Sequence, residues 1–253
     1  MNPEAYLEMR AVEDRHWWFA ARREVLAEAI RLHAPRRENL EILEMGCGTG
    51  GNLAMLSRFG KVYGVEYDAQ ALALAEERGL CEVRAGSLPN AMPYRAKYDL
   101  IGMFDVLEHI EDDYESLHTL HRSLREEGRL ILTVPAYQFL WSAHDEANHH
   151  KRRYTRSNLA AVVRRAGFTV RHASYFNTIL FPLVAGVRFL NQLRGKHNAT
   201  DVRLPSPLVN ATLSTLFGSE RFLAPRLPIP FGVSILLIAE PAREIAETGR
   251  RAA

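Results

Sequence analysis

A glycine-rich segment at residues 44–51 is the part of the sequence whose composition most directly suggests ligand chemistry. It reads Glu-Met-Gly-Cys-Gly-Thr-Gly-Gly and directly follows a predicted strand. Glycines in this position let the backbone turn tightly and approach a ligand closely. Gly46, Gly48 and Gly51 fit the G-x-G-x-x-G spacing of dinucleotide-binding loops, and Gly46, Gly48 and Gly50 fit the tighter G-x-G-x-G spacing.

Two carboxylates flank this loop and narrow the choice of ligand. Glu66 ends the next predicted strand, about 20 residues after the first glycine, where it could accept hydrogen bonds from both hydroxyls of a ribose. The loop and Glu66 together predict an adenosine-containing ligand, whereas a simple tight turn would leave Glu66 unexplained. Glu44 lies two residues before the first glycine, where a negative charge would repel a pyrophosphate but suits a cationic ligand.

Asp105, Glu108 and His109 follow a predicted strand at residues 98–104. If a helical turn begins at Asp105, all three side chains share one face. His109 could then act as a general base or contact an acceptor, or the three together could bind a divalent cation. The other interpretation is a helix cap with a packed histidine.

A second polar group comprises His144, Asp145, His149 and His150, after the predicted strand at 130–134. Adjacent residues rarely face each other, so His144 and Asp145 are a poor catalytic pair. Zinc is conceivable, but no pair of cysteines supports it. We predict that at least one of these residues contacts the substrate, the alternative being a solvated polar loop. The predicted catalytic residues are therefore Asp105, His109 and His144, with no metal ligands.

Composition excludes several functional classes. The chain has 253 residues, which is long enough to bury a core without a disulfide or a metal. A net charge of +2 argues against coating of nucleic acid, so we expect no nucleic-acid partner. Two cysteines cannot form a secreted disulfide framework and favour a cytoplasmic setting. We expect no signal peptide and no membrane span, because no apolar run reaches the ~18–20 residues that a span needs.

Strand-like and helix-like segments alternate through residues 41–240, which predicts an α/β fold with a parallel sheet covered on both faces. The strand-like runs are 42–44, 61–66, 98–104, 130–134, 168–175 and 232–239. Asp68 and Thr155 are predicted helix N-caps. Leu124 is the last apolar position of a predicted helix that Gly128 closes.

Three segments depart from this alternation. Residues 1–40 precede the first strand and form a separate N-terminal segment. Residues 176–231 separate the last two strands and contain helix candidates at 178–194 and 207–222, so they are an insertion. Residues 241–253 are polar and are predicted to be a flexible tail.

The order and spacing of these pieces resemble the class I S-adenosylmethionine (SAM) methyltransferases of the type 11/12 kind. The matching segments are 44–50, 64–68, 86–89, 98–110, 124–135 and 154–168. The central motifs resemble those of ubiquinone-biosynthesis O-methyltransferases. The resemblance implies a doubly wound, mostly parallel sheet of seven strands in the order 3-2-1-4-5-7-6, with strand 7 antiparallel. It also implies that SAM lies across the carboxyl ends of strands 1 and 2.

The resemblance implies a set of cofactor contacts within residues 41–240, the SAM-binding methyltransferase domain. These are Glu44, Gly46, Cys47, Gly48, Gly50, Glu66, Tyr67, Ser87, Leu88, Phe104 and Asp105. In this fold an N-terminal helical lid often covers the site, which adds two residues. The face of Trp18 could attract the sulfonium, and Arg22 could meet the SAM carboxylate. The alternative is that this segment simply packs on the sheet.

The resemblance further implies methyl transfer from SAM to a small or lipid-like acceptor, with O-methylation favoured over N- or C-methylation, and the apolar composition of the insertion favours a hydrophobic one. One alternative is an NAD(P)-dependent oxidoreductase, which Glu44 and the lack of a nearby Tyr-x-x-x-Lys pair disfavour. The other is a non-enzymatic SAM-binding protein at the periphery of a membrane.

Two features bear on partners. The basic run at residues 151–156 is either a solvated face or a contact for phosphate or an anionic lipid surface. The apolar helix of the insertion is predicted to cover the acceptor site, with contact to the inner face of the membrane and homodimerisation as the second and third interpretations.

Overall fold

The computed structural model describes residues 3–94, 96–193 and 203–242. Its strands are β1 Leu40–Met45, β2 Gly60–Glu66, β3 Glu82–Ala85, β4 Tyr98–Phe104, β5 Leu124–Pro135, β6 Phe168–Phe176 and β7 Ser234–Pro241. Its α-helices are α1 Pro3–Val12, α2 Trp17–His33, α3 Leu53–Leu56, α4 Ala69–Glu76, α5 Asp113–Ser123, α6 Ala143–Ala147, α7 Arg156–Arg165, α8 Phe181–Leu193 and α9 Pro207–Ser219. Short 3₁₀ turns occur at Leu107–His109, Gln138–Leu140 and Glu220–Phe222.

The strands form one sheet in the order β3-β2-β1-β4-β5-β7-β6, so the predicted topology is confirmed. All neighbouring pairs are parallel except those of β7, which is antiparallel to β5 and β6. The parallel strands β1, β2, β4 and β5 therefore end side by side. We call this border the carboxyl edge; it follows Met45, Glu66, Phe104 and Pro135.

The central strands are buried on both faces of the sheet. Every residue of β4 is buried, and so are five of the six residues of β1. Strands that are covered on both sides read as continuous apolar runs, which explains why the pattern of the sequence predicted them. Helices α5 and α7 pack against one face and α2 against the other. Asp68 and Thr155 cap α4 and α7 as predicted, since their side chains accept from backbone N–H groups of the first turn.

Two local features differ from the sequence pattern. No apolar run predicted β3, because this edge strand buries only Val83. The prediction that Leu124 lies in a helix closed by Gly128 is wrong. Helix α5 ends at Ser123, and Leu124 begins β5 with an extended backbone, paired with Tyr98.

The insertion joins β6 to β7 at the carboxyl edge, and α8 and α9 lie within the predicted helix candidates. Helix α9 packs on α2. The ring of Phe217 contacts that of Trp17 at 6.1 Å between centroids, and the backbone N–H of Trp17 donates to Asn210 Oδ1 at 2.9 Å. Residues 194–202 of the insertion and residues 243–253 of the predicted tail lie outside the described residues. Among the helices described, none is both long and apolar enough to cross a membrane.

Candidate active site

The glycine loop turns directly after β1 with three residues in the left-handed region. The φ angles are +72° at Gly46, +55° at Gly48 and +80° at Gly50, a conformation that side chains disfavour. A Cβ at Gly46 would also lie 2.5 Å from Cγ2 of Val106, which follows β4. The loop therefore needs glycine at position 46 both for its backbone conformation and for the close approach of Val106 in the segment after β4.

Glu66 ties the end of β2 to this loop. Its Oε2 accepts from the N–H of Gly48 at 2.7 Å, and its Oε1 accepts from the N–H groups of Tyr67 and Asp68, both at 2.9 Å. A carboxylate has about four lone-pair positions. Three of them are engaged by backbone, which leaves room for one further donor rather than for both hydroxyls of a ribose.

Glu44 lies between two glycines in the sheet, in register with Gly64 on β2 and Gly102 on β4. The side chain is buried, with its Oε1 accepting from Asn52 Nδ2 at 2.7 Å. Its Oε2 has no hydrogen-bond partner in the described part of the chain. Burial raises the pKa of Glu44 to about 8, so the carboxyl is mainly protonated at neutral pH until a cation approaches it.

Arg22 of α2 reaches across to the carboxyl edge. Its guanidinium forms an ion pair with the carboxylate of Asp105, and it lies over the Trp18 ring at 4.7 Å from the centroid. Asp105 follows β4 with a φ of +57°, and its N–H donates to the carbonyl of Thr133 at 2.9 Å. The structure thus brings Trp18 and Arg22 of α2 together with Asp105, which the sequence placed in a separate segment.

The segment between α1 and α2 lies against the glycine loop through residues that the sequence did not single out. Glu13 is buried, and its Oε1 accepts from Thr49 Oγ1 and from Arg78 Nη2, both at 2.6 Å. Arg78 also donates from Nε to the carbonyl of Thr49 at 2.7 Å. These partners are distant in sequence and belong to no motif, so no pattern could have indicated them.

The other predicted cofactor residues lie along the same edge with unequal access. Phe104 is buried beside Gly102, and burial raises the pKa of the Cys47 thiol, which keeps it protonated. Ser87 pairs its backbone with Ala91 in a tight turn. Leu88 in that turn is half-buried, whereas the Tyr67 side chain is 80% exposed.

The single helical face expected for Asp105, Glu108 and His109 is wrong. The turn after β4 is a short 3₁₀ turn, Leu107–His109, and Asp105 precedes it in the left-handed region. Glu108 is buried, and burial together with the nearby Asp105 raises its pKa. Burial and the neighbouring His150 lower the pKa of His109 to about 4, so this imidazole is neutral at pH 7.

The histidines after β5 are organised by Asp145. This fully buried carboxylate accepts from Arg153 Nε at 2.7 Å and pairs with His150 Nδ1 at 2.8 Å. His144 instead has its Nε2 at 3.1 Å from Asn148 Nδ2, and His149 is exposed. Asp145 therefore orients His150 and not His144, its neighbour in sequence.

The basic run at 151–156 does not form one solvated face. Arg153 is buried, and Arg152 pairs with Asp113 at 3.1 Å. Arg156 donates to the carbonyl of Pro228 at 3.3 Å, in the segment before β7. Three of the arginines in this run therefore make contacts within the fold, by ion pairing, hydrogen bonding or burial.

Comparison with known proteins gives a consistent result. Residues 17–173, more than half of the chain, match a family model described as a methyltransferase domain. A probable S-adenosylmethionine-dependent methyltransferase of Mycolicibacterium smegmatis is 26% identical over 161 residues, which cover 62% of this chain and 61% of that protein. A ubiquinone biosynthesis O-methyltransferase of Pseudomonas aeruginosa is 27% identical over 154 residues, which cover 52% of this chain and 65% of that protein.

Each alignment thus spans less than two thirds of the relative's length. Among solved structures, a S-adenosylmethionine dependent methyltransferase from Mesorhizobium loti superposes with a TM-score of 0.56 at 17% identity, covering 84% of this chain and 95% of that one. At this identity the likeness concerns the fold.

Proposed function

The chain belongs to the methyltransferase domain family, and we propose that it transfers a methyl group from SAM to a small, apolar acceptor. One observation carries the proposal: the glycine loop lies between the carboxyls of Glu44 and Glu66 at the adjoining ends of β1 and β2. SAM offers a cationic ammonium and sulfonium, a ribose and a carboxylate. Glu44 and Glu66 suit the ammonium and a ribose hydroxyl, and Arg22 would exchange Asp105 for the carboxylate.

The strand order disfavours the oxidoreductase alternative. Dinucleotide-binding sheets have the order 3-2-1-4-5-6, whereas here the antiparallel β7 lies between β5 and β6. The acids at the carboxyl edge point the same way. The carboxylate of Asp105 would repel a pyrophosphate, and the buried carboxyls of Glu44 and Glu108, whose pKa values are raised, ionise most readily beside a cation.

The chemistry proposed is an in-line displacement, in which the acceptor atom attacks the methyl group and the bond from methyl carbon to sulfur breaks. Much of the rate can come from alignment of donor and acceptor. A hydroxyl acceptor must also lose its proton. His109 is a weaker base than an ordinary histidine because its pKa is about 4. We assign it contact with the acceptor, together with Asp105, and assign His144 as the base.

The acceptor is proposed to be apolar because aromatic groups from the segment after β5, from β6 and from the insertion meet on this side of the carboxyl edge. Tyr137 follows β5 and stacks on Tyr175 at 4.9 Å between centroids, and Phe181 of α8 contacts Tyr137 at 5.9 Å. Helix α8 also exposes Leu183 and Phe189. An apolar acceptor on this wall would bury surface worth about 25 cal/mol per Å².

The exposed apolar side chains of α8 and α9 favour a second proposal, peripheral attachment to a membrane. Flotation with vesicles of neutral and of anionic lipid, at low and moderate salt, tests it. Co-flotation is expected if these helices enter the interface, and it should weaken with salt if charge contributes. Size-exclusion chromatography of the same samples tests the third interpretation, a homodimer that covers this face.

The main proposal is tested in two steps, first by cofactor binding and then by turnover. SAM should raise the melting temperature and bind in calorimetry, whereas NAD should do neither. With methyl-labelled SAM and a panel of apolar hydroxyl, carboxyl and amine acceptors, label should move into the organic extract. A folded protein that binds NAD and not SAM would overturn the proposal, and SAM binding without transfer to any acceptor would favour a non-enzymatic role.

A further inference from the structure

We propose that Glu108, His109 and His150 form a binding site for a divalent transition-metal ion. Each residue offers one ligand atom, and the three atoms lie within 4.8 Å of one another. Glu108 and His109 come from the 3₁₀ turn after β4, and His150 from the segment after α6. The two segments are held together by the N–H of Lys151, which donates to the carbonyl of Glu108 at 2.7 Å.

The Glu108 carboxyl points to a missing partner. The residue is only 1% exposed, and its Oε2 has no hydrogen-bond partner among the described residues. A buried carboxylate without a partner is costly. The nearby guanidinium groups are engaged elsewhere, Arg22 with Asp105 and Arg153 with Asp145. A cation between Glu108 and the two imidazoles would supply the partner that the protein does not.

The histidines are oriented as metal ligands usually are. His150 uses Nδ1 to pair with Asp145 at 2.8 Å, which leaves Nε2 for an ion. Asp145 is itself held by Arg153 and by the N–H of Ser142 at 2.9 Å. A buried carboxylate behind an imidazole fixes the tautomer of the ring and raises its basicity as a ligand. The His109 and His150 rings meet at right angles, with centroids 4.6 Å apart.

The ligand set selects the class of metal. Two imidazoles and one carboxylate suit zinc, manganese or iron, whereas magnesium and calcium prefer sets made entirely of oxygen. Zinc ligands lie about 3.4 Å apart, as bond lengths of about 2.1 Å require, so the three side chains would close on the ion by rotation. Three protein ligands leave at least one position open, as in catalytic zinc sites.

The open position gives the ion a use, and this step rests on the proposed function. An acceptor hydroxyl bound to the ion would lose its proton near neutral pH, as metal-bound water does, and His144, whose ring centroid lies 6.2 Å from that of His150, would take the proton as the assigned base. The resulting oxyanion would attack the methyl group of SAM, and the bond from methyl carbon to sulfur would break. Asp105, which is assigned contact with the acceptor, precedes Glu108 and His109 in the same loop after β4.

Calorimetry on the full chain, freed of metal and of any affinity tag, tests the site with Zn²⁺, Mn²⁺ and Mg²⁺ as probes. We expect one ion of Zn²⁺ or Mn²⁺ per chain and weaker binding of Mg²⁺. Glu108→Gln and His150→Ala should each weaken Zn²⁺ binding at least 10-fold. His149→Asn changes an exposed neighbour to a residue that tolerates its φ of +56°, and it should bind as the unmodified chain does.

Folding does not confuse this test, because Glu108→Gln keeps the size of a buried side chain whose Oε2 has no hydrogen-bond partner among the described residues, so it should not lower the melting temperature without metal. Asp145→Asn, a change to a positioning residue, should weaken Zn²⁺ binding about 10–100-fold. Zn²⁺ binding that is the same in the unmodified chain and in Glu108→Gln would overturn the proposal, as would no binding of Zn²⁺ or Mn²⁺. SAM calorimetry on the same samples separates the two proposals, since metal binding without SAM binding would refute the proposed function alone.

Discussion

Replacing Glu44 by glutamine should stabilise the ligand-free protein above neutral pH. The carboxyl is buried, and its pKa is about 8 in the fold against 4.5 ordinarily. Because the folded-state pKa is the higher one, folding favours the protonated form. Ionisation of Glu44 therefore lowers the stability of the fold. This loss of stability is absent below pH 4.5, grows as the pH rises from 4.5 to about 8, and is constant above that.

The size of the effect follows from this window. At about 1.4 kcal/mol per pH unit, the cost at pH 7 is about 3 kcal/mol. In a chain of this length 1 kcal/mol changes the melting temperature by about 2–4 °C, so the glutamine variant should melt several degrees higher at pH 8. Glutamine keeps an oxygen for Asn52 Nδ2, which now donates to Glu44 Oε1 at 2.7 Å, so the comparison isolates the charge.

SAM should reverse the preference for the protonated form. If its ammonium approaches Glu44, the carboxyl must ionise, and binding at pH 7 should release up to about one proton. Calorimetry in buffers of different ionisation enthalpy counts that proton. Glu44→Gln should release none and should bind SAM about 10–150-fold more weakly, the scale of a hydrogen bond to a charged group.

The control is Glu41→Gln, which changes the same residue type at the other end of β1, away from the loop. It should alter neither the proton count nor SAM affinity. The reasoning is refuted if melting temperature depends on pH equally in the unmodified chain and in Glu44→Gln, or if both release the same number of protons.

Three further predictions concern two other residues of the site and the packing of the insertion. Glu66→Ala should cost about 1.5–3 kcal/mol in SAM affinity by calorimetry, because the N–H of Gly48 loses its acceptor together with the ribose contact; unchanged affinity would remove Glu66 from the site. If His144 is the base, His144→Ala should lower turnover about 10²–10⁴-fold with SAM affinity preserved, and equal effects on both would point to a structural role. Phe217→Ala should cost about 3–5 kcal/mol in urea unfolding, since this ring is fully buried where α9 meets α2. Phe222→Ala removes a ring that is 57% exposed and should cost far less; similar costs would contradict the packing argument.

The central sheet was predictable from sequence because its strands have a single environment. Every residue of β4 is buried, and the run at 130–134 lies in the middle of the sheet, so apolar residues succeed one another without interruption. Strand β3 lies at the border of the sheet and buries only Val83, so it leaves no such run. Leu124 misled for the opposite reason. It continues the spacing of the apolar residues of α5, but it belongs to β5, and its side chain is buried as part of that strand.

The candidate site was predictable where it is built by local chain geometry. The glycine loop turns directly after β1, and Glu66 at the end of the neighbouring β2 accepts from the N–H of Gly48 in that loop. Because the two strands follow each other along the chain, the spacing of these residues was enough to indicate them. Ion pairs are different, because their partners meet only when the elements pack. Arg22 reaches Asp105 across 83 positions, and Glu13 reaches Arg78 across 65. No periodicity links such pairs.

The balance of charge at the carboxyl edge connects these observations. Glu44, Glu66, Asp105 and Glu108 lie within or beside it, and the guanidinium of Arg22 forms an ion pair with Asp105 there. In the ligand-free protein the excess of carboxyl groups over cations is offset in three ways. Asp105 pairs with Arg22, Glu66 accepts from backbone N–H groups, and the raised pKa values of Glu44 and Glu108 favour their uncharged forms. Burying these carboxyls lowers the free energy of unfolding, and a cationic ligand that binds the folded state raises it again. A sulfonium cofactor and a divalent metal ion both meet that condition, and a dinucleotide does not. The same electrostatic argument thus supports both proposals, although separate residues and separate experiments decide them.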